Sequence, residues 1–313
     1  MEGKKQQRDL YAEVTRRIVE ALDRGVRPWS CPWSRGATSG GMLPRRHGGE
    51  PYRGVNVLLL WCAAMERGFT SRTWLTYRQA EALGGQVRKG ERGTMVVYAG
   101  QFSPSKEGTE SDEGEAPARR SVAFLRSYTV FNTEQVDGLA APVAPELSEP
   151  IQPDADALAL VARAGATVRH GGDRAFYAPG PDLVQMPEAL RFRDAATYFG
   201  TLAHELVHWT GHPDRLARQF GQRFGDQAYA MEELVAELGA AFVCAGSQLS
   251  PEPRDDHAAY LAEWLAVLKH DKRAIFTAAA QAQRAADLLC GVEPTQVEVA
   301  PQRERRPLGA FRI

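Results

Sequence analysis

The sequence predicts an α+β protein of two domains, a mixed helix-and-strand N-terminal domain and a mostly helical C-terminal one. Three observations carry that expectation. The chain has 313 residues, more than a single hydrophobic core usually organises. A stretch holding Pro142, Pro145, Pro150 and Pro153 separates two apolar-patterned halves and has the composition of a linker. Charge divides as well: residues 1–102 hold 17 Lys+Arg against 9 Asp+Glu, a surplus of 8. The remainder, with 21 basic and 30 acidic residues, brings the total to −1. The expected division is residues 1–140 for the first domain, 141–153 for the linker, 154–292 for the second domain and 293–313 for a polar tail.

In the first half, Leu10, Tyr11, Val14, Ile18, Ala21 and Leu22 recur at helical spacing, so 8–24 should be an amphipathic helix closed by Gly25. An aromatic loop follows, with Trp29 and Trp33 among prolines, then a Gly- and Arg-bearing loop to Arg53. Val55 to Glu66 reads as a buried helix with Trp61 as a core anchor. Trp74 to Ala80 opens a short helix ending at Gly84-Gly85, and Val87–Gly93 is a basic turn. Thr94–Tyr98 and Val122–Phe131 have strand character and can pair across the Ser/Gly/Glu-rich excursion 103–118.

The second half should contain a helix over 155–164 and strand-like segments at 167–170, 174–178 and 183–186. Helices are then expected over 195–209, 226–246, 254–269 and 271–289.

Composition bounds the rest. With 43% hydrophobic and 25% charged residues, the chain is of the soluble globular kind. Its longest apolar stretch, Val55 to Met65, is too short to span a bilayer, and its polar, charged start carries no signal peptide. Cys31, Cys62, Cys244 and Cys290 lack C-x-x-C spacing, which excludes a disulfide framework or zinc ribbon and suits a reducing cytoplasm.

The chemistry is concentrated in His204-Glu205-Leu206-Val207-His208. Positions i and i+4 of a helix share a face, so the two imidazoles can hold one divalent metal, with Glu205 beside them as general base rather than ligand. A catalytic zinc site normally has a third protein ligand. The metzincin position is occupied by Asp214 and Arg215, and His212 comes too early. A gluzincin-type solution is available on the later helix, where Glu233 is the expected third ligand and Glu237 the outer partner of a ligand histidine. A solvated helix start accounts for Glu232. Zinc is the expected metal, with manganese or cobalt also compatible with His/His/Glu donors. Tyr198, Tyr229 and His257 are candidates to stabilise an oxyanion.

In the basic half, aromatics interleave with cations as in single-stranded nucleic-acid grooves, where bases stack on rings and Arg and Lys follow phosphates. The candidate DNA-binding residues are Trp29, Trp33, Arg53, Asn56, Arg72, Trp74, Tyr77, Arg88, Lys89 and Arg92.

Four N-terminal segments sharpen this: Pro28–Trp33, Tyr52–Trp61, Gly84–Glu91 and Tyr128–Asn132. With His204–His212, Tyr229–Glu237 and Asp271–Phe276, the chain resembles ArdC-type antirestriction proteins of conjugative plasmids over about residues 8–290. The resemblance implies a single-stranded-DNA-binding N-terminal domain, of the kind shared with TraC-type plasmid primases, joined to a zincin-like metallopeptidase domain. It further implies protection of incoming DNA from restriction, which the cysteine usage and apolar pattern place in the cytoplasm without a membrane partner. The alternatives are a DNA-tethered metalloprotease acting on DNA-bound proteins, its protein substrate unidentified, and a pure DNA-coating protein with a structural metal.

Overall fold

The computed structural model describes residues 9–30, 42–102, 122–139, 153–220, 227–247 and 257–293. Trp33, the excursion 103–118, the linker 141–152 and the tail from 294 lie outside the described residues.

Helix α1 (Leu10–Asp23) starts where the Asp9 carboxylate accepts the Ala12 amide at 3.1 Å, and it buries Val14, Ile18 and Leu22. Strand β1 (Arg45–Arg46) precedes α2 (Val55–Arg67), whose residues 55–64 are all buried. Strand β2 (Thr73–Leu75) leads into α3 (Tyr77–Ala82), β3 (Gln86–Val87), the long strands β4 (Thr94–Phe102) and β5 (Val122–Asn132), and β6 (Val136–Asp137). The strands form a four-stranded sheet, β1-β2-β5-β4, and a two-stranded one, β3-β6. The β4/β5 pair is antiparallel with Thr94 opposite Val130 and Phe102 opposite Val122.

Trp74 and Leu75 therefore sit in a strand rather than opening a helix as expected. The helix begins after Thr76, which with Gln79 forms a reciprocal capping box. Pairing of Trp74 with Asn132 and of Leu75 with Phe131 overrides the local helical spacing.

The second half begins with α4 (Pro153–Ala164), followed by β7 (Thr167–His170), β8 (Phe176–Ala178) and β9 (Leu183–Met186) in the order β7-β9-β8. Then come α5 (Ala195–Thr210), α6 (Gln227–Gly246), α7 (His257–His270) and α8 (Ala274–Cys290). Asp194 caps α5 by accepting the Thr197 amide and hydroxyl, both at 2.7 Å.

Helix α6 lies close against α5 at Gly239. A Cβ there would stand 2.8 and 2.9 Å from the two Val207 methyl groups. Gly239→Ala must push the helices apart, and urea unfolding should show a loss of about 1–3 kcal/mol. A variant as stable as the wild type would show that the crossing can relax.

The two halves share one hydrophobic core. Trp29 meets Trp264 edge-on at 5.3 Å, and Trp61 lies 6.3 Å from Phe242. Polar ties cross the same seam. The Thr15 hydroxyl donates to Lys272 O at 2.7 Å, Met42 N donates to Ala245 O at 2.9 Å, and Arg53 pairs with Asp287. The sequence division into two domains joined by a linker gave no hint of this continuous packing.

Candidate metal centre and nucleic-acid surface

Helix α5 presents His204 and His208 one turn apart, and α6 brings Glu233 to face them. The two Nε2 atoms lie 3.2 Å from each other. Glu233 Oε2 is 3.5 Å from His204 Nε2, and its Oε1 is 3.6 Å from His208 Nε2. A metal about 2.0–2.1 Å from each donor in tetrahedral geometry would separate the donors by roughly 3.3 Å. The three groups thus suit one small divalent cation, and they are the only such cluster among the described residues.

Outer partners surround the cluster. His204 Nδ1 is 3.2 Å from Glu237 Oε1. His208 Nδ1 is 3.1 Å from Glu232 Oε1, the distance of an N–H···O bond. The Tyr229 hydroxyl donates to Glu233. His208 is thereby tied at its far nitrogen, as metal-binding histidines usually are, whereas His204 Nδ1 stands at ion-pair distance from Glu237 outside hydrogen-bond geometry.

The charges are strongly coupled. Burial works against a charged His204, but Glu233, Glu237 and Glu205 outweigh it and raise the imidazolium to about 10. Burial also opposes ionisation of Glu233, yet His204 and His208 hold its carboxyl below the usual range. Glu205 is buried, 5% exposed, and lies outside the converging trio.

Glu232 requires a correction. It is not a solvated first-turn carboxylate: it is 6% exposed, bonded to His208 and clamped by Arg218. Arg218 carries no motif and was absent from the sequence expectations. Its partner is reached only because the chain after α5 folds back: Leu216 N donates to Thr210 O and Arg218 N to Gly211 O, both at 3.0 Å. Arg215 anchors the same segment, bonding Asp182 and stacking 3.7 Å over Trp209.

Tyr229 adjoins the cluster, whereas the Tyr198 hydroxyl lies 2.9 Å from His170 Nε2. The side chain of His257 lies outside the described residues. His212 is turned toward Asp214, whose amide donates to His212 Nδ1 at 3.2 Å.

The candidate DNA residues divide by burial. Trp74 is fully buried, so it presents no face for a base. Trp29, 7% exposed, packs on Trp264. Asn56 is consumed by a reciprocal pair of 2.8 Å hydrogen bonds with the Val97 backbone. Arg72 is 6% exposed, and burial together with Arg45 lowers its guanidinium to about 10. Arg53 is held by Asp287. Trp29, Asn56, Arg72 and Trp74 are drawn inward by long-range packing that local spacing does not reveal, and Arg53 is partly buried against Asp287.

Tyr77, Arg88, Lys89 and Arg92 remain exposed. Arg88 is partly neutralised by Glu91 and Asp137. Sequence inspection overlooked a further aromatic group on the β4/β5 ribbon. Tyr98 stands opposite Arg126 in the register, Phe124 lies 6.0 Å from Tyr98, and the Arg126 guanidinium stacks 4.7 Å over Phe124. The alternation of Phe124 and Arg126 along a strand was the available signal. Among the described residues, no helix is long and apolar enough to cross a membrane.

Residues 8–131 match the family described as the N-terminal domain of anti-restriction factor ArdC, and residues 155–281 match zincin-like metallopeptidases. A protein of Sinorhizobium fredii (strain NBRC 101917 / NGR234) named y4eC, described as uncharacterised, is 44% identical over 283 residues, covering 89% of this chain and 91% of that protein. The DNA primase TraC of Escherichia coli is 36% identical over 301 residues, which are 92% of this chain but 28% of the primase. The metal-free crystal structure of the antirestriction protein ArdC from plasmid R388 has a TM-score of 0.75 at 43% identity, covering 91% of this chain and 98% of that one. Its Mn(II)-bound form gives 0.73 at the same identity and coverage.

Proposed function

The chain belongs to the ArdC antirestriction family, and from that premise we propose that it binds single-stranded DNA without sequence preference and carries a divalent metal on His204, His208 and Glu233. The combined action protects incoming DNA from restriction in the cytoplasm. The observation that carries the metal half is the convergence of two imidazole nitrogens and a carboxylate within 3.6 Å contacts. Zinc is the proposed occupant, with manganese compatible with the same donors.

On the DNA side, the contacts proposed are the exposed Tyr77, Arg88, Lys89 and Arg92, joined by Tyr98, Phe124 and Arg126 of the ribbon. Rings would stack on bases, while the guanidinium and ammonium groups follow the phosphates. In the metal centre, a bound divalent cation supplies Lewis acidity toward a carbonyl oxygen. Glu205, buried beside the trio, takes a proton from water as general base. Tyr229 holds Glu233, its hydroxyl proton directed at that carboxylate. A general base placed as Glu205 is what the alternative reading, cleavage of proteins bound to the DNA, requires.

The test is binding of single-stranded and duplex oligonucleotides at several salt concentrations. The single strand should be preferred, with affinity falling steeply as salt rises. Lys89→Ala with Arg92→Ala should reduce the magnitude of the log–log slope by up to about 0.7 per lost phosphate contact. Tyr77→Ala should cost about 1–3 kcal/mol. A wild-type protein that binds neither oligonucleotide would overturn the DNA function.

A further inference from the structure

We propose that Arg218 is a positioning residue for the metal centre, acting through Glu232 on the ring of His208. The proposal rests on the assignment of His204, His208 and Glu233 as the metal-binding trio.

The geometry is that of a built clamp. Arg218 Nε donates to Glu232 Oε2 at 2.9 Å and Nη2 to Oε1 at 2.8 Å, a side-on bidentate pair. Nη2 also reaches Val207 O at 2.6 Å, and Nη1 reaches the Thr210 hydroxyl at 2.8 Å. The guanidinium is thus locked to the last turn of α5, the turn that carries His208. Its side chain is 4% exposed and that of Glu232 is 7% exposed. The same Oε1 that accepts from Nη2 faces His208 Nδ1 at 3.1 Å. The relay therefore runs from arginine to carboxylate to imidazole through one oxygen, leaving His208 Nε2 directed at the trio.

The backbone is arranged around this contact. Ala217, immediately before Arg218, holds φ +48°, a left-handed conformation uncommon for a residue with a side chain. Its amide donates to His212 O at 3.0 Å, which closes the turn that aims Arg218 inward. At Gly211, a Cβ would stand 2.9 Å from Arg218 Nη2 and 2.6 Å from the Phe220 ring. A side chain at 211 would have to displace the Phe220 ring or the Arg218 guanidinium.

Without Arg218, Glu232 would be a buried carboxylate lacking its bidentate partner. It would be free to turn or to draw in water, and His208 would lose the group that fixes its ring. Loss of an outer partner of this kind typically lowers metal affinity about 10–100-fold.

The experiment titrates Mn(II) into the full chain by calorimetry, using wild type, His208→Ala, Arg218→Met, Arg218→Lys, Glu232→Gln and the Arg218→Met/Glu232→Gln double variant. Wild type should bind, and His208→Ala, which removes a ligand, should lose about a hundredfold or more. Arg218→Met and Glu232→Gln should each weaken binding about 10–100-fold. The double variant should be little worse than the weaker single, because both break the same relay. Lysine keeps the charge but not the bidentate grip, so Arg218→Lys should fall between.

Additive losses, or unchanged Mn(II) affinity with only a lower melting temperature, would reduce Arg218 to a fold-stabilising residue and overturn the proposal. If Arg218→Met fails to fold, wild-type affinity in Arg218→Lys would overturn it equally. A wild-type protein that binds no Mn(II) would instead remove the metal assignment itself, and this proposal with it.

Discussion

Replacing Glu233 with alanine is expected to remove most of the metal affinity of the chain. A four-ligand structural zinc site is worth about 10–16 kcal/mol, so one ligand accounts for about 3 kcal/mol, or roughly a hundredfold or more in affinity. His204→Ala should do the same. Glu205→Gln should not: Glu205 lies outside the converging trio, so metal binding should survive while any peptide-bond cleavage disappears. Calorimetric titration with Mn(II), paired with a peptidase assay, separates these outcomes. Near-wild-type Mn(II) affinity in Glu233→Ala would remove Glu233 from the ligand set. Metal saturation should also raise thermal stability, by about 2.7 kcal/mol at a hundred times the dissociation constant, and a chelator should reverse it.

Trp61→Ala should be the most damaging single core change. The indole is fully buried, its Nε1 donates to Met42 O at 3.3 Å, and its ring packs toward Phe242 on α6. Truncating such a side chain costs about 3–5 kcal/mol. Because the cavity opens at the seam, the loss should appear in both halves. Urea unfolding followed by helix content and by metal release should move to lower denaturant together. Two separate transitions, with metal release unmoved, would show that the halves unfold independently.

What could be read from the sequence follows the range of the interactions. The His204/His208 face was visible because one helical turn links the two residues. The carboxylates of α6 were harder to sort. That helix is buried on nearly all sides, with Leu234, Ala236, Glu237 and Leu238 all covered, so no polar stripe separates Glu232 from its neighbours. Glu232 looked like a solvated helix start and is a buried partner of His208.

Arg218 was invisible because its contacts depend on a turn held by Ala217, not on any local pattern. Trp74 stands beside Arg72 and Tyr77, as a nucleic-acid surface would require, and Asn56 lies close to Arg53 at the start of an apolar helix. Sheet pairing with β5 and capture by the Val97 backbone turned both inward. The strands β4 and β5 were legible, whereas the two-residue strands β1, β3 and β6 are too short to carry a period.

The shared core also constrains how the chain acquires its structure. Thr15 finds its acceptor at Lys272 and Arg53 its carboxylate at Asp287, separations of 257 and 234 residues. During synthesis, α1 can meet α2 and β5 early, but its packing against α7 is completed only after that late helix has emerged. Contacts so distant in sequence slow folding and lengthen the life of sticky intermediates. The nascent chain is therefore expected to depend on chaperones until its last helices arrive. The N-terminal domain is correspondingly a poor candidate to reach its native state as an isolated fragment.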